Sequence, residues 1–202
     1  SPDFSSFLLQ ASSQPFSVLA LATAGGDTIT LIKQTAEFRA LKDNQKLASL
    51  LFYINDVGPL GLKAAQGLLL ANSFYWDMND ETRAWTKRFQ AFSGGKLPNM
   101  LQAGLYAAVT HYLKAIDAAG TDEPKAVAKK MRELKVTDFY NKNVEIRPDG
   151  RVLHKMFLMQ VKAPEESKHE NDYYKILSEL PGSEAFRSMN DGSCLLVQGN
   201  SR

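Results

Sequence analysis

The hydrophobic pattern changes character along the chain. Phe4, Phe7 and Leu8 recur at helical spacing behind Asp3 and Ser5, either of which can cap the turn, so a helix is predicted to about residue 12. Residues 16–22 are then an unbroken apolar run leading into Thr23, Ala24, Gly25, Gly26 and Asp27. Val18, Leu19 and Leu21 predict a strand buried on both faces, the habit of a parallel sheet covered by helices. Ile29, Ile32 and Ala36 return at helical spacing and predict a helix to about Arg39. Residues 47–54 form a second apolar strand, separated from the first by a helix-sized crossover, which is the βαβ unit of a parallel sheet. Gly58 and Pro59 are expected to stop it, leaving Asn55 and Asp56 at its end, where Asp56 matches the position of Asp27. A helical turn over 60–65 and a third strand over 67–74 follow.

Longer helices come next. Asp80, or Asn79 with Thr82, opens one whose Trp85, Phe89 and Phe92 form a stripe, ended by Gly94 and Gly95. Asn99 opens a long one in which Leu105, Val109, Leu113 and Ile116 recur every three or four residues until Gly120. Asp122 is the expected cap of a further helix to Leu134, with Pro124 in its first turn. Residues 139–146 then alternate loosely toward the hairpin turn Pro148, Asp149, Gly150, and 152–161 continue as a second arm with Met156, Leu158 and Gln160 on one side. A last strand spans 173–180, residues 183–186 suit one helical turn, and the tail from Asn190 reads as loosely held. The fold class is α/β: a Rossmann-like parallel sheet flanked by helices, with an antiparallel C-terminal part.

Composition narrows the functional classes. With 202 residues, 44% hydrophobic and 23% charged, the chain can bury a sizeable core. A net charge of only +2, with basic and acidic residues interleaved, gives no nucleic-acid surface. Lys125, Lys129, Lys130 and Arg132 read as the wet face of a helix. No apolar run reaches the ~20 residues of a membrane span, and no signal peptide is seen at a start that itself looks like that of a fragment. The single Cys194 excludes an internal disulfide and reads as a packed small residue.

Catalytic patterns are sparse. His111, His154 and His169 stand in neither HxxxH nor HExxH spacing, and GxGxxG, GxxxxGK[ST] and GxSxG are all absent. His111 within a helix reads as structural, and the other two as solvent-facing. Asp27 and Asp56, ending neighbouring strands, are the only carboxylate pair suggestive of acid–base chemistry, and turn or cap aspartates produce the same pattern. No cofactor or metal is implied. The glycine pair sits where a strand hands over to a helix, the edge at which open α/β sheets bind ligands; a plain tight turn gives the same sequence. Tyr75 and Trp76 leave the third strand and suit either a pocket wall or core packing.

Taken together, LALATAGGDTITLIKQTAEF, LASLLFYINDVGPLGLKAAQGLLLANSFYWDMNDETRAWTKRF, LQAGLYAAVTHYLKAIDAAGTDEPKAV and PDGRVLHKMFLMQVK followed by DYYKIL resemble the C-terminal half of type I periplasmic solute-binding proteins, of the branched-chain amino acid or amide type serving ABC importers. The resemblance implies two lobes joined by three crossings and closing on a ligand. It assigns 1–76 to the core of the second lobe, 77–150 to part of the first, and 151–202 to closing strands and tail. It implies that Thr23, Ala24, Gly25, Gly26 and Asp27 form a ligand loop, that Asn55 or Asp56 holds the ligand's polar end, and that Tyr75 and Trp76 wall the cleft, with Tyr106 structural. The implied function is non-enzymatic binding of a small polar solute, an amino acid, amide or small carboxylate, in the periplasm or at the cell surface. The implied partner is the membrane permease of an ABC importer. A sensory receptor domain or an enzyme remnant using Asp27 and Asp56 are the alternatives. The first-lobe helices around 100–134 would lack their sheet, which predicts an exposed face and possible self-association.

Overall fold

The computed structural model describes residues 2–42 and 44–192; Cys194 and the rest of the tail lie outside the described residues. The chain divides into two compact units, 1–72 with 157–178, and 73–156 with 179–202.

In the first unit, α1 (Ser5–Ser12), β1 (Val18–Leu21), α2 (Gly25–Glu37), β2 (Lys46–Ser49), α3 (Ile54–Leu60), α4 (Leu62–Ala65) and β3 (Leu69–Asn72) follow the βα alternation expected. The chain returns as β4 (Met156–Val161) and β5 (Tyr174–Leu180), completing a sheet in sequential order β1 to β5. β1, β2 and β3 are parallel, with Leu19 opposite Leu47 and Ser49 opposite both Leu21 and Leu70. β4 runs antiparallel to β3, Ala71 facing Leu158. Parallel strands need crossovers, and α2 and α3 with α4 supply them.

Several strand expectations are corrected. β1 is an edge strand, with Val18 48% exposed and only Leu21 buried, because no strand lies beyond it among the described residues. β2 ends at Ser49, and the apolar run continues through exposed Leu50 and Leu51 into α3. Gly58 and Pro59 therefore lie inside a helix. Pro59 removes one backbone donor from a helix that ends at the next residue. In α2 the buried face is Thr28, Leu31, Ile32 and Thr35, so Ala36 is exposed. Phe157, Met159 and Val161 form the buried side of β4, opposite the half-buried Met156, Leu158 and Gln160. The expected hairpin is shorter than drawn: Ile146 bridges Val152 around the turn, while β4 pairs with β3.

A buried ion pair pins the loop between β4 and β5. Lys162 Nζ lies 2.5 Å from Asp172 Oδ1, and the Lys168 N–H donates to Asp172 Oδ2 at 3.0 Å. Burial pushes the Asp172 carboxyl up, but those two hydrogen bonds and the charge of Lys162 outweigh it and hold its pKa below the usual value.

The second unit holds α5 (Asp80–Ser93), α6 (Met100–Ala119), α7 (Pro124–Glu133) and α8 (Gly182–Ala185). Asn79 caps α5 by accepting the Thr82 N–H at 3.0 Å, and Asn99 caps α6 by accepting that of Leu101 at 2.8 Å. Glu123, rather than Asp122, caps α7, its two oxygens taking the Lys125 and Ala126 N–H groups. Lys129 faces solvent beside Glu133 as expected, while Lys130, paired with the same carboxylate, is half-buried. The core is aromatic: Trp85 stacks on Phe139 at 4.1 Å and 6°, and Phe74 meets both edge-on. Tyr106 adds an edge-on contact to Trp85 at 5.4 Å, a packing role in keeping with its expected structural one. Phe92 does not belong to the stripe; it is 93% exposed. On α6 the buried residues are Ala103, Ala107, His111 and Ala115, not the predicted bulky row. His111 Nε2 is 2.8 Å from the Met131 carbonyl oxygen, tying α6 to the end of α7, a structural role.

Candidate functional site

The first unit brings two of the three predicted groups to one place. Adjacent parallel strands β1 and β2 both point their carboxyl ends at the turns that open α2 and α3. Gly25 and Gly26 are the first two residues of α2, and Asp27 is the third. Asn55 and Asp56 are the second and third of α3. The two aspartates thus hold equivalent positions in successive βα turns.

The start of α2 is open. Ala24 is extended, at φ −139° and ψ 158°, and no side chain caps the helix. The first N–H groups of an α-helix have no intrahelical acceptor, and the helix dipole adds positive character there. Gly25 has φ +57° with nothing within 4 Å of an added Cβ, so glycine is required by backbone conformation rather than space. Thr23 is half-buried and its Oγ1 lies 2.8 Å from Thr28 Oγ1, which fixes the hydroxyl that sequence reasoning assigned to ligand. A hydroxyl donates one bond and accepts two, so this pairing orients Thr23 and leaves capacity for another partner.

The second turn is braced, though no side chain caps the first N–H groups of α3 either. The Tyr53 N–H donates to Asp56 Oδ2 at 2.8 Å, so this carboxylate holds the start of α3 in place. Its other oxygen retains acceptor capacity. Asp27 and Asn55 are exposed, while Asp56 and Tyr53 are half-buried.

Tyr75 and Trp76 belong to the second unit. Tyr75 is buried, its ring 6.1 Å from that of Trp76 and its N–H donating to Met78 Sδ at 3.2 Å. Trp76 packs against the Phe74, Trp85 and Ala103 cluster, so core packing accounts for at least part of its surface.

Two residues, Thr28 and Ser49, escaped notice in the sequence, and Tyr53, expected within a strand as one of the suggestive aromatics, instead precedes α3. Thr28 pins Thr23, and Tyr53 supplies the N–H that Asp56 caps; the three-residue spacing of Tyr53 and Asp56 was the available signal. Ser49, the last residue of β2, is buried, and its Oγ has no hydrogen-bond partner among the described residues. A serine within an apolar run gives no warning of that. His154 and His169 do not join this edge: their Nδ1 atoms lie against the carbonyls of Lys155 and Glu170, with His169 exposed and His154 half-buried.

With this geometry in view, the similarities to known proteins take on a specific sense. Residues 1–169 match the family model described as periplasmic binding protein, and the chain belongs to that family. A periplasmic binding protein from Burkholderia mallei is 45% identical, with a TM-score of 0.89 over 97% of this chain and 52% of its own. A branched-chain amino acid ABC transporter periplasmic ligand-binding protein from Burkholderia xenovorans is 36% identical, with a TM-score of 0.86 over 96% of this chain and 52% of its own. A solute-binding protein from R. palustris in complex with benzoate shares the fold, with a TM-score of 0.72 at 17% identity over 88% of this chain and 46% of its own. No curated protein matches the chain. The sheet and its flanking helices are those of a type I periplasmic binding protein, of which this chain spans about half the length. Among the described residues, no helix is long and apolar enough to cross a membrane.

Proposed function

We propose that the chain binds a small polar solute, an amino acid, amide or small carboxylate, as part of an ABC-type uptake system in the periplasm, without catalysing a reaction. The carrying observation is the pair of helix starts at the carboxyl ends of neighbouring parallel strands: no side chain takes the first N–H groups of either α2 or α3, and at α3 the Asp56 carboxylate is held by the Tyr53 N–H. Oriented N–H groups at a helix start suit a carboxylate or amide oxygen. Asp56, one oxygen already committed to the Tyr53 N–H, offers a fixed negative charge for an ammonium or amide N–H group. Asp27 adds a second negative charge, and Asn55 a neutral polar group. Energy coupling then falls to a partner permease and ATPase. The description of the Burkholderia xenovorans relative supports an amino-acid ligand.

Isothermal titration with amino acids, their amides and simple aromatic carboxylates tests this proposal. Asp56→Asn preserves an acceptor for the Tyr53 N–H and removes the charge. The variant is expected to weaken an amino acid by about tenfold, as removal of one charge-assisted hydrogen bond predicts, and a simple carboxylate far less. Equal losses for both ligands would take Asp56 out of that role, and no heat with any ligand would refute binding by this chain alone.

A further inference from the structure

The hairpin turn of the second unit carries more positive charge than it neutralises. Arg147 is fully engaged: its Nε and Nη2 donate to the two oxygens of Asp149, at 3.0 and 2.6 Å, and its Nη1 donates to the Arg187 carbonyl oxygen at 3.0 Å. That last bond ties the turn to the segment after α8. Asp149 is engaged as well, since its Oδ1 also accepts the Arg151 N–H at 3.2 Å. Arg151 and Arg187 differ from both. Among the described residues neither of their guanidinium groups meets a carboxylate.

The two groups line one cavity of about 410 Å³, which lies wholly within the second unit and has Phe186, Ser188 and Met189 in its wall. Asp149 is the one carboxylate in that wall; Asp191, outside it, accepts the Ser188 N–H at 3.1 Å. The Arg151 guanidinium carbon sits 4.7 Å from the centre of the Phe186 ring, which His154 meets edge-on at 5.2 Å. A guanidinium laid on an aromatic face is held in orientation while its N–H edge stays free for an oxyanion. Arg187 is closely seated too: a Cβ built on Gly192 would lie 3.2 Å from its Nη2, so the group rests against a residue without a side chain. Charge and shape then select the ligand. Two uncompensated guanidinium groups call for about two negative charges, and a phosphate monoester carries about −1.5 to −2 near pH 7. It offers three terminal oxygens to the two forks, where a carboxylate offers two. The cavity is far larger than a phosphate group and falls within the ~300–1,000 Å³ of small-molecule sites, which leaves room for an organic part against Phe186 and Met189.

The geometry points to an organic phosphate site in the second unit: Arg151, held on Phe186, and Arg187 grip the phosphate of a small monoester whose organic part fills the rest of the cavity. The turns that open α2 and α3 belong to the first unit, so this site stands or falls independently of the solute proposal.

Isothermal titration of the 202-residue chain with glycerol 3-phosphate tests the site, with inorganic phosphate and acetate alongside. The ester is expected to bind tightest and acetate weakest. Arg187 is exposed, so its replacement should leave the circular dichroism unchanged. Arg187→Gln should weaken the ester by about tenfold, as loss of one charge-assisted contact predicts, with Arg187→Lys falling between it and the parent. Phe186→Leu keeps both cations, removes the ring under Arg151, and should cost about threefold. Asp56→Asn should leave ester binding unchanged, and Arg187→Gln should leave amino-acid binding unchanged, which separates failure of this site from failure of the solute proposal. No heat from the ester, or an Arg187→Gln variant that binds it as well as the parent, would overturn the site. Inorganic phosphate bound as tightly as the ester would overturn the assignment to a monoester. Retention on phosphatidic acid vesicles without heat from the soluble ester would overturn it in favour of a membrane surface.

Discussion

The two units solve the same problem with different means. The first buries its apolar residues, Leu31, Ile32, Leu70 and Met159 among them, against a five-stranded sheet whose helices come from the crossovers themselves. Among the described residues the second has three substantial helices and only the first residue of β4 and the last two of β5 from the sheet, and it coheres around stacked rings. A sheet distributes stabilisation over many backbone bonds. An aromatic cluster concentrates it in a few side chains, and leaves an apolar helix face such as that of α6 open.

This contrast can be tested optically, because both tryptophans, Trp76 and Trp85, lie in the second unit. Tryptophan fluorescence therefore follows that unit, while far-ultraviolet circular dichroism follows both. The largest effect is expected from Trp85→Ala, which removes the ring stacked on Phe139 and should cost about 3–5 kcal/mol. Urea unfolding followed through Trp76 should then shift far ahead of the dichroism; a coincident shift would mean that the units unfold as one. Asp172→Asn should cost about 1.5–3 kcal/mol, in the first unit, by breaking the pair with Lys162. Because the folded carboxyl titrates below its unfolded value of about 3.9, its contribution is full above that pH and is lost as the pH falls through the lower folded value. The Asn variant should lose that acid sensitivity, seen as a flatter stability profile below about pH 4.

Gly182→Ala is a smaller test in the second unit. A Cβ there would lie 2.2 Å from the Leu153 carbonyl oxygen, and backbone must move to admit it, at about 1–3 kcal/mol. The smallest effect is expected at Ser49, whose buried hydroxyl lacks a partner among the described residues. Ser49→Ala should leave stability within about 0.5 kcal/mol or raise it, since an unpaired buried polar group is exchanged for an apolar one. A loss well beyond that would show that the hydroxyl is used.

The same contrast explains what was legible in the sequence. The glycine pair that opens α2, the caps Asn79 and Asn99 and the stops at Gly94 and Gly120 were all readable, because each depends on a few neighbouring residues. The βαβ order was readable from apolar runs spaced by a helix. The run 47–54 misled, since periodicity cannot show that β2 stops at Ser49 and that Asp56, by accepting the Tyr53 N–H, starts a helix at Ile54. On α6 the pattern found a real apolar row and assigned it to the core, but among the described residues that row stays exposed. Both faces of that helix are apolar, and sequence spacing alone cannot say which one is covered. The equivalent positions of Asp27 and Asp56 were visible in advance; the hydroxyl pairing of Thr23 with Thr28 was not, because it depends on the geometry of the turn.

The β5 strand carries a consequence for the behaviour of the protein in a tube. It is the last strand of the sheet among the described residues, seven residues long, and Ile176, Leu177 and Leu180 stand exposed on it. Such an edge is a template for strand addition, and charged side chains are what keep it apart from its copies. Here those charges are Lys175, paired with Glu166, and Glu179, paired with Lys155. Raising salt from physiological strength to 1 M shortens the screening length from about 8 to about 3 Å. Light scattering of a concentrated solution should therefore rise with added salt, and Leu177→Lys should suppress the rise, so that colloidal stability, rather than folding stability, sets the ionic strength at which this chain is best kept.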